Sequence, residues 1–204
     1  MPKLDFGKGS WPTLDESMID GAIAARLIDG YQDEQGVYFK RPGQTRLGTS
    51  SIALPVQGIF WSEGFQTFFA VGGGKVYKVS PTGVVTEMVG ATVPATKPAT
   101  FSENGVHVYA AAGGTLVKTD GLISEYETDT AAPTSTTHVA WLDGHILCNE
   151  AGTARFHWTD ADVETFGAGN FADANADLDP IVAMGVGWRE LVLPGPRSTE
   201  IWYN

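Results

Sequence analysis

The chain has a single cysteine, Cys148, in 204 residues. An intrachain disulfide is therefore excluded, and a lone thiol fits synthesis in a reducing cytoplasm. Long apolar runs are missing too: none approaches the ~18 residues that cross a bilayer as a helix, so no membrane partner is expected. The opening stretch, Met-Pro-Lys-Leu-Asp-Phe-Gly-Lys, lacks the apolar segment of a secretory signal. Basic residues are scarce in the second half. Residues 1–97 carry nine Lys/Arg and nine Asp/Glu, whereas residues 98–204 carry four and fifteen, which accounts for the net charge of −11. Phosphates are held by Lys and Arg, so tight DNA or RNA binding is not expected. No cofactor motif is present, and no enzyme is expected.

What the chain does have is strand chemistry. Hydrophobic residues are 43% and charged residues 18%, a mix that excludes bulk disorder. With 25 Gly, 11 Pro, 20 Thr, 17 Val and 22 aromatics, the composition favours short strands joined by tight turns. Residues 1–21 read as an N-terminal arm with a short helix, since Thr13-Leu-Asp-Glu16 fits a capping box. Residues 22–204 read as one β domain. Arg41-Pro-Gly43 suits the centre of a type II turn.

The main signal starts at Gly58. A strand at Gly58-Ile-Phe-Trp61 leads to a Ser-Glu-Gly turn, a strand from Gln66 to Val71, a Gly72-Gly-Gly74 turn, a strand from Lys75, a Pro81-Thr-Gly83 turn and a fourth strand from Val84 to Val89. The same order recurs 40 residues later, with Ala70/Ala110, Gly73/Gly113, Gly74/Gly114 and Lys78/Lys118 in register. A third unit starts at His138-Val-Ala-Trp-Leu and turns at Asp143-Gly144. A fourth starts at Ile181-Val-Ala-Met. First strands centre on Phe60, Phe101, Trp141 and Met184, steps of 41, 40 and 43 residues. Four strands at a period near ~40 residues is β-propeller spacing. A four-stranded sheet has two faces and cannot bury both alone, so neighbours stack. The expected fold is all-β: propeller-like repeats near 58–97, 98–137, 138–180 and 181–204, the last incomplete after Ile201-Trp-Tyr-Asn. Residues 22–40 or other polypeptide would close it. A sandwich or barrel of hairpins is the competing architecture.

Chemical motifs are few. Gly72-Gly-Gly-Lys75 lacks the spacing of a phosphate loop. Gly167-Ala-Gly169-Asn-Phe-Ala172 mimics a dinucleotide fingerprint but precedes an acidic run rather than an apolar helix. Asp173, Asn175, Asp177 and Asp179 set oxygen ligands at every second position, as calcium loops do. Leu178 and Met184 stand where an EF-hand needs Gly and Glu, so a solvated acidic connection is preferred to calcium. The four histidines show no metal-ligand spacing, and Cys148 reads as a buried, inert thiol.

Taken in order, Arg41-Pro-Gly43, Gly58-Ile-Phe-Trp61, the Gly-Gly-Lys-Val-Tyr hairpin at 73–77, Trp141-Leu-Asp-Gly144, Asn170-Phe-Ala, Leu178-Asp-Pro-Ile181, Glu190-Leu-Val-Leu and Ser198-Thr-Glu-Ile-Trp-Tyr203 resemble the tail hub, or nozzle, of short-tailed bacteriophages. This is the packaged-DNA-stabilising family. The resemblance runs from Arg41 to the end and implies a structural virion protein, assembled in the host cytoplasm. It implies a homohexameric ring below the portal and its adaptor, with fibres or spikes outside, a needle among the partners, and double-stranded DNA passing through without tight binding. Family members continue beyond the fourth unit, so the resemblance implies a fragment or a short member. A DNA conduit gains from a repulsive wall, because like charges repel over a Debye length of ~8 Å. Asp160, Asp162, Glu164, Asp173, Asp177 and Asp179 are the candidates to face the channel. The alternative reading is a propeller that binds glycan or protein with Trp61, Trp141 and Trp158 as stacking platforms. Their bland role is inter-blade core. A calcium- or acid-dependent hydrolase is the third reading.

Overall fold

A computed structural model describes residues 30–32, 38–40, 48, 50–174, 177 and 179–203. The expected arm and helix in residues 1–21, the domain boundary at residue 22 and the turn at Arg41-Pro-Gly43 lie outside the described residues. The chain divides into two compact units, residues 1–46 and residues 47–204. In the first unit, β1 (Gly30–Gln32) and β2 (Tyr38–Lys40) form an antiparallel pair, a two-stranded sheet of its own.

The second unit is a run of antiparallel blades. The first holds β3 (Val56–Ser62), β4 (Thr67–Gly72), β5 (Lys75–Val79) and β6 (Val85–Gly90). The second holds β7 (Thr100–Glu103), β8 (Val108–Ala111), β9 (Val117–Thr119) and β10 (Ile123–Tyr126). The third holds β11 (Val139–Leu142), β12 (His145–Asn149), β13 (Arg155–Thr159) and β14 (Phe166–Asp173). The fourth has three described strands, β15 (Gly185–Gly187), β16 (Glu190–Pro194) and β17 (Thr199–Tyr203). Each blade is a meander in chain order, and no helix occurs among the described residues. The expected propeller-like repeat is therefore the observed fold.

The first strands of successive blades lie together. The Ala99 N–H donates to the Gln57 carbonyl at 3.0 Å, and the Thr100 hydroxyl donates to the Thr137 carbonyl at 3.0 Å. Glycine permits the close approach at β3: a Cβ on Gly58 would stand 2.6 Å from the Ala99 oxygen. At the opposite, outer side, β6 and β10 pair in parallel through Val89/Ile123 and Gly90/Ser124, which joins two blades into one eight-stranded sheet. Gly90 sits at φ +131°, and a Cβ there would meet the Ser124 oxygen at 2.0 Å. A side chain at Gly90 would break that seam.

Alternation along each strand sends apolar residues to both faces, and every pair of neighbouring blades encloses a core. Phe69, Val71, Val76, Met88, Val108 and Val117 are sealed between the first and second blades. Tyr109, Leu116, Ile146, Cys148 and Phe166 fill the second interface. Leu142, Leu147, Phe156, Ile181, Leu191 and Leu193 form the third. Each such large side chain contributes about 1.5–3 kcal/mol on burial, so stability accumulates interface by interface.

The third blade's fourth strand, expected from the repeat but not located in the sequence, is β14, although Gly167-Ala-Gly169-Asn170 has little intrinsic strand preference. Pairing with β13 and burial of Phe166 override local propensity. The expected strand at Ile181-Val-Ala-Met is not a strand. Ile181 is drawn out of the fourth blade's ladder: its N–H donates to the Thr153 carbonyl at 2.9 Å and its side chain plugs the third core. The fourth blade's first strand is β15 instead.

Candidate functional site

In a meander the turns after the first and third strands of every blade lie at the same end, and this end carries much of the charge. Asp143 and Gly144 both take positive φ, 47° and 89°, as a two-residue hairpin turn requires. Trp188 and Arg189 do the same at 56° and 64° without a glycine. Three polar clasps tie neighbouring blades together there. Glu103 of the second blade accepts from the Ser62 hydroxyl and from the Glu63 N–H at 2.9 Å. Glu164 of the third blade accepts from the Asn104 amide at 2.7 Å and from His107 Nδ1 at 2.6 Å. Arg189 of the fourth blade donates from Nε to Asp143 at 2.8 Å.

The six sequence-predicted acids divide sharply. Glu164 is half-buried in the second clasp, with the Lys118 ammonium 3.9 Å away and Glu127 beyond it at 3.3 Å from the same nitrogen. Burial raises the Glu164 pKa, but the hydrogen bonds from Asn104 and His107 help to outweigh it and hold the carboxyl below its ordinary value. Tyr109 beside it is pushed up, first by burial and then by the Glu164 charge. Asp173 sits on the far end of β14, where Arg155 reaches both its oxygens at 2.9 and 3.2 Å and pulls its pKa down. Asp179 accepts from the Ser198 hydroxyl at 2.7 Å and from the Arg197 N–H at 2.7 Å, so it staples the β16–β17 turn and its pKa falls. Asp160 accepts from the Asn170 amide at 2.7 Å at the blade surface. Asp162 is exposed in the 160–165 loop, and Asp177 is exposed as well. The structure does not bring the six together. Asn175, the remaining member of the calcium quartet, lies outside the described residues, and Asp173 and Asp179 spend their oxygens on other partners. Among the described residues no cluster of three or more His, Cys, Asp or Glu could hold a metal ion.

The tryptophans also separate. Trp61 packs edge-on to Phe68 at 4.7 Å and donates to Glu63. Trp158 lies against Phe156 at the third interface. Trp141 is exposed at 43%. Sequence reasoning missed Trp188, which is 97% exposed at the tip of the β15–β16 turn. It also missed the His107–Glu164 pair, because 57 residues separate the partners and no local pattern joins them. Cys148 is fully buried, and that burial raises its thiol pKa as expected.

A model of the phage-stabilisation family, described as bacteriophage P22 Gp10, β-propeller, matches residues 27–204. The chain belongs to this family. It is a phage structural protein of β-propeller fold, from a virion-associated family. No curated protein matches the chain. Among solved structures, BamB from Moraxella catarrhalis is similar at TM-score 0.52 and 14% identity, over 78% of this chain and 48% of that one. A streptogramin B lyase is similar at TM-score 0.51 and 12% identity, over 85% of this chain and 61% of that one. The chain thus spans about half to three-fifths of the length of these relatives. At such identities the likeness speaks for the fold alone.

Proposed function

We propose that this protein is a non-catalytic tail component of a short-tailed phage, a hub or nozzle that assembles as a homohexameric ring and retains packaged DNA. The observation that carries the reading is the family match over residues 27–204. Double-stranded DNA passes the ring without tight binding, which agrees with fifteen acids against four bases in residues 98–204. Asp160, Asp162 and Asp177 are the exposed acids of the predicted set and the best suited to face the conduit. Glu164, Asp173 and Asp179 act first as staples. Adaptor, fibre or spike, and needle proteins are the proposed partners, and the proposed route is assembly in the host cytoplasm into the virion tail.

Multi-angle light scattering tests the reading. A stable mass six times that of the chain supports it, and a monomer across the micromolar range overturns the ring for this 204-residue chain. A second reading, a binding module for glycan or protein, is favoured by Trp188 and Trp141, which present aromatic surface to solvent. Saturable glycan binding by a monomer, lost in Trp188→Ala, would select it.

A further inference from the structure

We propose that Asn104 is a self-modification site: the folded chain converts its side-chain amide to a carboxylate, through a cyclic imide with Gly105, and thereby releases the second clasp. The site lies between two complete blades and does not depend on the ring.

Among the five asparagines of the chain, Asn104 alone precedes a glycine. An asparagine amide carbon is open to attack by the backbone nitrogen of the next residue, and a missing Cβ leaves that approach unshielded. Gly105 is exposed at φ +84°, and a Cβ built there would meet nothing within 4 Å. Among the described residues nothing accepts a hydrogen bond from its N–H. The Asn104 side-chain oxygen accepts from the Val106 N–H at 2.9 Å and from the His107 N–H at 2.8 Å. Such a turn folds the amide back along its own backbone, towards Gly105. The two donors polarise the carbonyl and are already in place for the oxyanion that attack creates. The amide nitrogen donates to Glu164 at 2.7 Å, and His107 Nδ1 stands 2.6 Å from the same Glu164 oxygen. The leaving nitrogen therefore has an acid–base group at hand. Tyr109, 1% exposed and 6.4 Å from the His107 ring between centroids, walls the group on its inner side.

The step balances with water alone. The Gly105 nitrogen gives its proton to solvent and bonds to Asn104 Cγ. The bond from Cγ to the amide nitrogen breaks, and ammonia leaves with a proton passed from the His107–Glu164 pair, which solvent replaces. Water then opens the imide at either carbonyl, leaving an aspartate or an isoaspartyl linkage at position 104. Both products end the clasp. The aspartate sets a second carboxylate against Glu164, and like charges that close disfavour each other's ionised form. The isoaspartyl linkage lengthens the backbone by a methylene and disturbs the Asn104 N–H bond to the His107 carbonyl, 3.2 Å long.

The full chain is aged at neutral pH, and peptide mapping reads the mass gain of amide-to-acid conversion at each asparagine. Conversion at Asn104 is expected ahead of Asn149 and Asn170. It should run at least about tenfold faster in the folded chain than in a synthetic peptide of residues 100–110. Glu164→Gln should slow it about tenfold. Gly105→Ala, which shields the attacking nitrogen and keeps the clasp residues, should slow it as well. Asn104→Asp makes one product directly. Cys148 is buried in the same interface, and in this variant its thiol should react with maleimide about tenfold faster than in fresh wild type. Aged wild type should approach that rate. Conversion in the peptide as fast as in the fold, or faster, overturns the proposal, because the turn would then protect the amide. So does an unchanged rate in both Glu164→Gln and Gly105→Ala. Conversion at Asn104 with no gain in Cys148 reactivity overturns the release of the clasp.

Discussion

The first and third blade interfaces are built from the same repeat yet differ in how they are sealed. At the first, small residues interleave with large ones, Ala110 and Ala112 among Phe69, Val71 and Met88. The outer strands β6 and β10 then lock by direct pairing. At the third, two tryptophans and a phenylalanine gather around open volume, and β17 has no described neighbour on its outer side. A blade's fourth strand is therefore more than another rung of the ladder. It delivers the residue that closes the interface with the blade before it.

Substitutions that separate these interfaces test the comparison. The largest effect is expected from Phe69→Ala, which opens a cavity in the sealed interface and should cost about 3–5 kcal/mol in a urea unfolding experiment. Different outcomes are expected for added volume at the two interfaces. Ala110→Leu should destabilise by about 1–3 kcal/mol because the first core has no room, whereas Leu147→Phe at the third should be near neutral in the same assay. Equal penalties for the two would show that the third interface is sealed as tightly as the first.

Glu164→Gln at the middle interface should lose about 1–3 kcal/mol near neutral pH, as buried groups lose a charged partner. The folded Glu164 carboxyl lies below its ordinary value. Its contribution is thus fully present above the unfolded carboxylate value of about 4.3 and disappears as pH falls through the lower folded value. The gap between wild type and variant in the urea midpoint should therefore close in acid and persist at neutral pH. The smallest effect belongs to Arg189→Ala. Its side chain is mostly exposed, so loss of the Asp143 pair should lower the unfolding free energy by under about 1 kcal/mol, an effect that vanishes in high salt.

The repeat was legible because turn chemistry is local. Gly73-Gly74 and Asp143-Gly144 announce hairpins by themselves, and the recurrence of Gly73-Gly74 as Gly113-Gly114, 40 residues on, gives the blade. β14 was not legible, since a Gly-Ala-Gly-Asn stretch becomes a strand only when Phe166 is drawn into the core ahead of it. Ile181 misled for the opposite reason: its local pattern is strand-like, but its tertiary role is a plug. The acids looked alike along the chain. Only contacts from distant residues, Asn104 and His107 for Glu164, Arg155 for Asp173, and Ser198 for Asp179, divide staples from free surface.

The buried thiol of Cys148 has one more use. Sealed within the middle interface, it cannot meet a maleimide or disulfide reagent while the second and third blades are closed. Its modification rate is therefore a built-in clock for the parting of those two blades. The silence of Cys148 in the native state also means that a single cysteine introduced on the surface could carry a fluorophore without competition, so that assembly and blade opening are followed in the same molecule.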